Sequence, residues 1–442
     1  MTPIVHASAP PVRRLTDAPA FYAALIFGAM TLNYLDRSIL SVLIIPMKPE
    51  LQLTDTDIGW LLGFGFALVY AVLGIPLARL ADRVGRPLVV GSGMVVWSAA
   101  TVACGFAGAF APLLMARIGV GIGEAAGTAP ALALVGDQYP KARRPFILGL
   151  VNAGASLGTS LGLALGGWIA HLHGWRTAFI CAGVPGLLLG LLIVATLRER
   201  RLGEGGVLAA AAPARPAAMP SAWESARFVA RQRSILLTLA GSVFVGLILM
   251  ALIAWSPSYF ARVHGVELSR IGYTLGLIKG FAGVGGALAG GWLTSRLARR
   301  DDRWQSWTPA AALLLLGPVF ALFLTATQAT VAFAALGIGM FLLSATLGPI
   351  YAIYQCTAPS LLRSQVCALH VLVASLGLGC GPLIVGTLNE SLFAARGALA
   401  LQSSLWVLVP AALAAGACLM GASRFLLADI ARAGRHDARG SA

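Results

Sequence analysis

Long apolar runs recur along the chain from about residue 21 to residue 427, and short polar segments separate them. A helix needs about 20 apolar residues to cross the hydrocarbon core of a bilayer, and these runs are that long. The strands of a membrane barrel would instead alternate apolar and polar residues, which these runs do not. The pattern therefore predicts an all-α membrane protein with twelve transmembrane helices, at residues 21–45, 57–78, 86–107, 112–136, 144–169, 174–197, 235–260, 268–293, 307–326, 329–355, 364–388 and 400–424.

The composition excludes a soluble protein with a single membrane anchor. Hydrophobic residues make up 58% of the 442 residues, charged residues make up 11%, and the mean hydropathy is +0.82. A soluble domain has about 45–50% apolar and about 25% charged residues. Because the apolar residues are spread over the whole length, they belong to the body of the protein.

The distribution of basic residues predicts the orientation in the membrane. If the N-terminus is cytoplasmic, 24 of the 32 lysines and arginines fall in cytoplasmic segments or at cytoplasmic helix ends, five fall in outer loops or at outer helix ends, and three lie well inside predicted helices. This bias satisfies the positive-inside rule, so both termini are predicted to be cytoplasmic and the protein to lie in the inner membrane. It also explains the net charge of +15 without nucleic acid as a partner.

One polar segment, rich in Ala, Pro, Gly and Arg, divides the chain into halves of six predicted helices each and is typical of a linker. The halves resemble each other, since LADR at 80–83 corresponds to LTSR at 293–296. Two six-helix bundles related as parallel repeats are typical of one class of secondary transporters. The predicted parts are an N-terminal tail (1–20), a first bundle (21–197), a cytoplasmic linker (198–234), a second bundle (235–425) and a C-terminal tail (426–442).

Charged groups inside the predicted first and fourth helices are the best candidates for transport chemistry. Each costs about 2.5–3.5 kcal/mol at the bilayer centre, so such groups face a cavity or a partner. Asp36 and Arg37 are neighbours, and Asn33 lies one turn before them. Arg117 and Glu124 lie on one stripe of the fourth helix, about 10 Å apart along its axis. They either line a shared pocket or form structural ion pairs between the two helices.

The second half offers further polar candidates. Lys279 lies in the middle of the predicted eighth helix, where it either faces the cavity as an anion site or extends along the helix to the interface. Tyr351 and Gln355 are one turn apart on the tenth helix and are weaker cavity candidates. The aromatic residues at the end of the seventh helix either line the path of an amphipathic ligand or belong to an interfacial belt, and they are Trp255, Tyr259 and Phe260.

Small residues repeat every fourth position in two predicted helices. Gly154, Gly158, Gly162 and Gly166 do so in the fifth, and Gly59 and Gly63 begin a similar series in the second. Such stripes allow helices to pack closely in a membrane.

No motif indicates an enzyme. The glycine-rich run at 119–127 lies inside a predicted helix rather than after a strand, so it does not indicate a dinucleotide site. The nucleotide-binding pattern G-x-x-x-x-G-K-[ST] is absent from the sequence, and the six cysteines lack the spacing of metal ligands. We expect neither a cofactor nor a metal.

Several motifs resemble those of a known family. GIPLARLADRVGR at 74–86 resembles the loop signature between the second and third helices of the major facilitator superfamily. NYLDR at 33–37 and RIGVGIGEA at 117–125 resemble its spinster-like branch, as do GWR at 174–176, LARRDDRW at 297–304 and GLGCGP at 377–382. The resemblance implies a proton-coupling role for Asp36 and Glu124, and a conformational switch at Asp82, Arg83 and Arg86, where ionic contacts break as the halves move.

These observations predict a secondary active transporter that works by alternating access. The expected substrate is an anionic or zwitterionic organic solute, such as a lysolipid-type amphiphile, and protons are the expected coupling ion. The predicted substrate-binding residues are Asn33, Arg37, Arg117, Lys279, Tyr351 and Gln355. Two alternatives remain: a proton symporter for small sugar acids, and a substrate sensor built on a transporter fold. We expect a monomer in the lipid bilayer.

Overall fold

The computed structural model describes residues 19–138, 144–197, 227–359 and 362–440, and its principal elements are all helical in this part of the chain. The helices are α1 (Pro19–Glu50), α2 (Asp55–Gly59), a π-helical turn (Trp60–Phe64), α3 (Gly65–Val84), α4 (Arg86–Cys104), α5 (Phe110–Gln138), α6 (Arg144–Thr196), α7 (Arg233–His264), α8 (Leu268–Ala298), α9 (Trp304–Thr325), α10 (Ala329–Thr357), α11 (Arg363–Ser391), a 3-10 turn (Ala394–Leu399), α12 (Ala400–Leu405) and α13 (Leu408–Gly440).

Three places differ in detail from the predicted helices. The second helix is interrupted, because α2, the π-helical turn and α3 follow one another without a loop. The fifth and sixth helices are two arms of α6 that meet at Gly174, whose φ of 82° suits glycine. The twelfth consists of α12 and α13, and α13 continues to Gly440 through the predicted tail. With each interrupted helix counted once and α6 counted as two, the described residues are consistent with twelve crossings.

Eight helical stretches among the described residues are long and apolar enough to cross a membrane by length and composition. One of them covers most of the kinked α6. The remaining crossings, which are not among these eight stretches, are α1, the interrupted second helix and α5. Two of them, α1 and α5, carry the buried charged residues.

The two bundles repeat one packing scheme. In the first, α1 packs on α6, α3 on α5, and α4 on both α5 and α6. In the second, α7 packs on α11, α8 on α10, and α9 on both α10 and α13. These pairings correspond one to one when each half is counted from its own first helix. The predicted architecture of parallel repeats is therefore present in the described residues.

Two main seams join the bundles, one between α6 and α8 and the other between α11 and the start of the second helix. Glycines allow the close approach at both. A Cβ added at Gly59 would lie 2.7 Å from the Cα of Leu383, and one added at Gly276 would lie 2.8 Å from the carbonyl oxygen of Ser160. Both seams reach the side of the protein that the charge distribution assigns to the outside of the membrane. We call this side the outer face.

The glycine stripe predicted on the fifth helix packs against α1. Gly154 meets the backbone of Phe27, Gly158 meets that of Thr31, and Gly162 meets that of Leu35. The stripe therefore brings the first arm of α6 against the helix that carries Asp36 and Arg37.

The aromatic residues at the end of α7 occupy neither of their predicted environments. Trp255, Tyr259 and Phe260 are fully buried. The indole of Trp255 donates to the carbonyl of Pro382 at 3.0 Å, and the ring of Phe260 stacks on Phe333 with centroids 3.7 Å apart. They form part of the hydrophobic core, because rings that can stack and donate to backbone carbonyls are stable away from the interface.

Candidate functional site

An ion pair joins the first and fourth crossings. Nε of Arg37 on α1 donates to Oε2 of Glu124 on α5 at 2.5 Å. The side chain of Glu124 is fully buried, whereas that of Arg37 is 27% exposed. The guanidinium of Arg37 also lies 5.4 Å from the ring centroid of Tyr34. Arg37 thus connects a buried carboxylate with a more accessible region.

A second acid and arginine face each other beside this pair. Nη1 of Arg117 on α5 lies 4.0 Å from Oδ1 of Asp36 on α1, and the hydroxyl of Thr101 donates to Oδ2 of Asp36. Asp36 and Arg117 are both buried. Within the described residues, Nε and Nη1 of Arg117 have no hydrogen-bond partner. The long separation and the incomplete hydrogen bonding make this pair the less tightly bound of the two.

The structure brings all four predicted charges together, but in crossed pairs. Glu124 on α5 contacts Arg37 on α1, and Arg117 on α5 faces Asp36 on α1. Arg117 and Glu124 do not pair with each other. This arrangement matches the predicted alternative of ion pairs between the two helices. It also keeps two acids within reach of two arginines, so one protonation changes the partners available to both.

Asn33 lies one turn from these charges and is fully buried. Both its amide nitrogen and its amide oxygen lack a hydrogen-bond partner within the described residues. Buried amides normally find hydrogen-bond partners, so Asn33 is an exception among the buried polar side chains of this region.

Lys279 lies in a cavity between the bundles. The cavity is small, with a volume of about 20 Å³ that holds about one water molecule, and Thr159 of α6, Ser256 of α7 and Met340 of α10 also line it. Lys279 is half-buried and has no anionic partner among the described residues. Of the two environments predicted for it, the structure places it in the cavity.

The two candidates on α10 are both exposed, but only Tyr351 belongs to a described cluster. Its ring lies 4.8 Å from that of His370 on α11, and Tyr354 lies 4.8 Å from the same histidine. His370 is buried, and its Nδ1 has no hydrogen-bond partner within the described chain. Sequence reasoning missed His370, because a lone histidine in an apolar run gives no signal. Gln355 has no such contact among the described groups.

The predicted switch lies at the end of α3 and the start of α4. Arg83 is exposed, Arg86 is half-buried, and Gly85 between them has a φ of 107° that allows the sharp turn. The side chain of Asp82 lies outside the described part of the structure.

A polar cluster that the sequence did not predict joins the two bundles at the outer face. Asp55, at the start of α2, accepts two hydrogen bonds of 2.8 Å from Arg262 at the end of α7. Lys48 donates to Oδ1 of Asp55 at 2.6 Å, and the amide of Asn389 on α11 donates to Oδ2. Arg262 and Asn389 belong to the second bundle. No sequence signal connects them with Asp55, because they are distant in the chain.

Glu390 extends this cluster. Oε1 of Glu390 accepts a hydrogen bond from the backbone amide of Asp55 at 2.5 Å, and its Oε2 accepts one from the hydroxyl of Thr56 at 2.5 Å. We call the whole cluster the outer lock, and it consists of Lys48, Asp55, Thr56, Arg262, Asn389 and Glu390. The first amides of a helix lack partners within the helix. A carboxylate of the second bundle therefore caps a helix of the first.

Asp55 lies at the outer rim, before the predicted second span. Burial alone would raise the pKa of this carboxyl, but the hydrogen bonds and charges of Arg262 and Lys48 outweigh burial and lower its pKa. Asp55 therefore remains ionised at neutral pH, and its contacts with Arg262 and Lys48 do not depend on a proton.

A second contact crosses the other seam on the same face. Nε2 of His171, near the end of the first arm of α6, lies 3.3 Å from Oε1 of Glu267, which precedes α8. Both side chains are exposed.

Comparison with known proteins identifies the class. The sequence model of the Major Facilitator Superfamily matches residues 26–382 of this chain. The chain belongs to this superfamily, and it is therefore a multi-pass membrane transporter and not an enzyme.

Individual relatives agree with this assignment. The chain is 33% identical over 387 residues to an MFS-type efflux pump of Mycolicibacterium smegmatis, covering 88% of each protein. It is 27% identical over 278 residues to a hexuronate transporter of Bacillus subtilis, covering 63% of this chain and 65% of that one.

Among solved structures, a bacterial homolog of the human lysosomal transporter Spinster, in an inward-facing and unoccupied conformation, matches with a TM-score of 0.76. The sequence identity is 25%, and the match covers 95% of this chain and 98% of that one. The predicted likeness to the spinster branch is confirmed.

Proposed function

We propose that this protein is a proton-coupled secondary transporter of an anionic or zwitterionic organic solute, lysolipid-type amphiphiles among them. It works by alternating access as a monomer in the inner membrane, with both termini in the cytoplasm. The observation that carries the proposal is the buried pair of Arg37 and Glu124, together with Asp36 and Arg117 beside it.

The pair of Arg37 and Glu124 supports coupling through competition for one guanidinium. While Glu124 is ionised, it holds Arg37 through a charge-assisted hydrogen bond of 2.5 Å. A proton on Glu124 removes the negative charge and weakens that bond, so Arg37 becomes able to bind an anionic group. Binding of the anion and uptake of the proton then favour each other.

Asp36 and Arg117 provide a second proton site of the same kind. Their charges are separated by 4.0 Å, and both groups are buried. An ion that loses its partner inside a membrane protein is costly, so the proton state of Asp36 and the position of Arg117 change together. Asn33, one turn away, offers an amide to the same substrate.

The outer lock supports alternating access. Its contacts cross between the bundles, so they must break before the outer face opens. This conformation is the one in which the outer side is closed. The predicted switch at Asp82, Arg83 and Arg86 lies on the cytoplasmic side and acts in the opposite step.

A second candidate function is proton symport of small sugar acids. The similarity to a hexuronate transporter favours it, and the same acids and arginines would serve the coupling. It differs from the first proposal in the body of the substrate and not in its charge.

The test is uptake into proteoliposomes driven by a pH gradient, with labelled lysophosphatidic acid and galacturonate as probes. Wild type should accumulate one of them, and Glu124→Gln should lose accumulation while retaining exchange. Asp302→Asn, which removes an exposed acid beyond α8, is the matched control and should behave like wild type. Accumulation by Glu124→Gln at the wild-type level would contradict the proposal.

A further inference from the structure

The hydroxyl group of Thr101 on α4 contacts the acid of the second proton site. The side chain of Thr101 is buried. Its Oγ1 donates to Oδ2 of Asp36, and the same oxygen lies 3.0 Å from the backbone carbonyl oxygen of Trp97, one turn earlier on α4. A hydroxyl group carries a single proton. Thr101 can therefore donate to only one of these two acceptors at a time.

The two acceptors match the two protonation states of Asp36. While Asp36 is ionised, its carboxylate is the stronger acceptor, because hydrogen bonds to a charged group are about twice as strong as neutral ones. Once Oδ2 has taken up a proton, the carboxyl group becomes a donor, and Oγ1 of Thr101 can accept its hydrogen bond. The threonine proton then turns to the carbonyl of Trp97 by rotation about the Cβ–Oγ1 bond. No O–H bond of the threonine breaks, and both Oγ1 and Oδ2 keep a hydrogen bond in each state.

The two oxygens of the Asp36 carboxyl group have different surroundings. Oδ1 faces Nη1 of Arg117 at 4.0 Å, and a guanidinium only donates hydrogen bonds. Oδ2 faces Thr101, which is the one side chain hydrogen-bonded to Asp36 in the described part of the chain. A proton on Oδ1 would point at a cation, whereas a proton on Oδ2 meets an acceptor. The proton is therefore expected on Oδ2.

The other titratable and charged groups around Asp36 do not offer such an acceptor. They are Arg37 on the same helix, Arg117 and Glu124 on α5, and Cys104 on α4. The arginines only donate, a thiol accepts weakly, and Glu124 is already bonded to Arg37. The first arm of α6, which also packs on α1, has no charged residue between positions 145 and 170.

Glycines of α5 hold this part of α4 in place. A Cβ added at Gly127 would lie 2.6 Å from Cζ3 of Trp97, and one added at Gly123 would collide with the backbone nitrogen of Trp97. This close approach fixes the turn of α4 that contains Trp97 and Thr101 against the helix that carries Arg117. The threonine hydroxyl therefore has a defined position relative to the charges of the site.

We infer that Thr101 is a positioning residue for the second proton site. Its hydroxyl group directs the proton to Oδ2 of Asp36, and it exchanges its own hydrogen bond between Asp36 and the carbonyl of Trp97 as that proton binds and leaves. The inference rests on the proposed function, because it takes Asp36 as a proton site. It assigns a role in coupling to the middle of α4, where the sequence indicated no site residue.

Infrared difference spectroscopy of the purified full chain in nanodiscs, recorded over a pH series, tests the inference without a ligand. A protonated carboxyl group has its own C=O band, and Asp36→Asn identifies the band of Asp36 by removing it. Thr101→Val keeps the shape of the side chain but removes the hydroxyl group, so this band should shift in frequency. Thr101→Ala should shift it as well, and Thr101→Ser should return it to the wild-type position.

Thr31→Val is the matched control, because the buried hydroxyl group of Thr31 on α1 donates to the carbonyl of Phe27 in its own helix at 2.9 Å. Its Asp36 band should lie at the wild-type frequency. In the pH-driven uptake assay, Thr101→Val should lower accumulation roughly three- to tenfold, which is the effect of losing one hydrogen bond.

An Asp36 band at one frequency in wild type, Thr101→Val and Thr101→Ala would overturn the inference, and so would a shift that Thr101→Ser does not reverse. The absence of any band that Asp36→Asn removes would also overturn it, because Asp36 would then not bind a proton. In each of these cases, pH-driven uptake that needs Glu124 would leave the proposed function in place. Wild type that accumulates neither lysophosphatidic acid nor galacturonate would contradict the proposed function, whatever the band shows.

Discussion

Arg37 and Glu124 are 87 residues apart in the chain, yet Nε of the arginine lies 2.5 Å from Oε2 of the glutamate. The carboxylate is fully buried, whereas the arginine side chain is 27% exposed. Any anion that approaches this arginine therefore competes with a carboxylate that solvent does not reach. This competition is the physical basis of the proposed coupling, and the predictions below test the residues around it.

Arg117 and Asp36 should behave as a coupled pair in stability measurements. Arg117→Ala leaves the buried carboxylate of Asp36 without its cation and should lower the free energy of unfolding by about 3–5 kcal/mol. The double variant Asp36→Asn/Arg117→Ala should lose less than the sum of the two single variants. Denaturant unfolding in detergent measures all three proteins. Strictly additive losses would show that the two residues do not interact.

The outer lock should hold the outer face closed. Asp55→Asn removes the charge that Arg262 and Lys48 share, so spin labels at His173 and Leu392, which are exposed on different bundles, should gain a population at longer distance. Arg176→Gln is the matched control, because the partner of Arg176 is Glu50 of the same bundle. Unchanged distance distributions in Asp55→Asn would argue against the lock.

The lock should also be insensitive to pH in the neutral range. Because the pKa of Asp55 is lowered, its contribution is fully present above the ordinary aspartate value of about 3.9 and is lost only as the pH falls through the lowered pKa. The label distances of wild type should therefore not change between about pH 8 and pH 5 through this group. A transition in that range that disappears in Asp55→Asn would contradict this assignment.

The glycine stripe on α6 should be intolerant of a single methyl group. A Cβ added at Gly158 would collide with the carbonyl oxygen of Thr31, whereas one at Gly291 would meet no atom within 4 Å. Gly158→Ala should cost about 1–3 kcal/mol through overpacking, and Gly291→Ala should be neutral or slightly stabilising. Thermal unfolding in detergent compares the pair. Equal stability of both variants would show that α6 can move away from α1 at no cost.

The sequence predicted the elements that depend on local composition. The apolar runs located the crossings, the glycine spacing located the face of α6 that packs closely on another helix, and the charges inside predicted helices located Arg37, Asp36, Arg117 and Glu124. Each of these features can be recognised in a short stretch of sequence. A membrane-spanning helix needs a continuous apolar run, so a charged residue within that run is easily identified.

What the sequence could not predict depends on contacts between distant segments. Ion pairs between the two helices were one predicted alternative, but which acid meets which arginine, Glu124 with Arg37 and Asp36 with Arg117, depends on how α1 packs against α5. The outer lock joins Asp55 to residues of α7 and α11, and His370 is notable only because Tyr351 and Tyr354 enclose it. Such relations arise when the bundles assemble, and no periodicity encodes them.

The central claim is that Glu124 carries the proton that moves with the substrate. The most direct test is proton movement driven by a substrate gradient in proteoliposomes that contain a trapped pH indicator, with no pH gradient imposed. Wild type should change the internal pH when the transported anion is added, and Glu124→Gln should not, although it still exchanges labelled anion across the membrane. Equal proton movement in wild type and Glu124→Gln, or anion transport by wild type without any proton movement, would contradict the account.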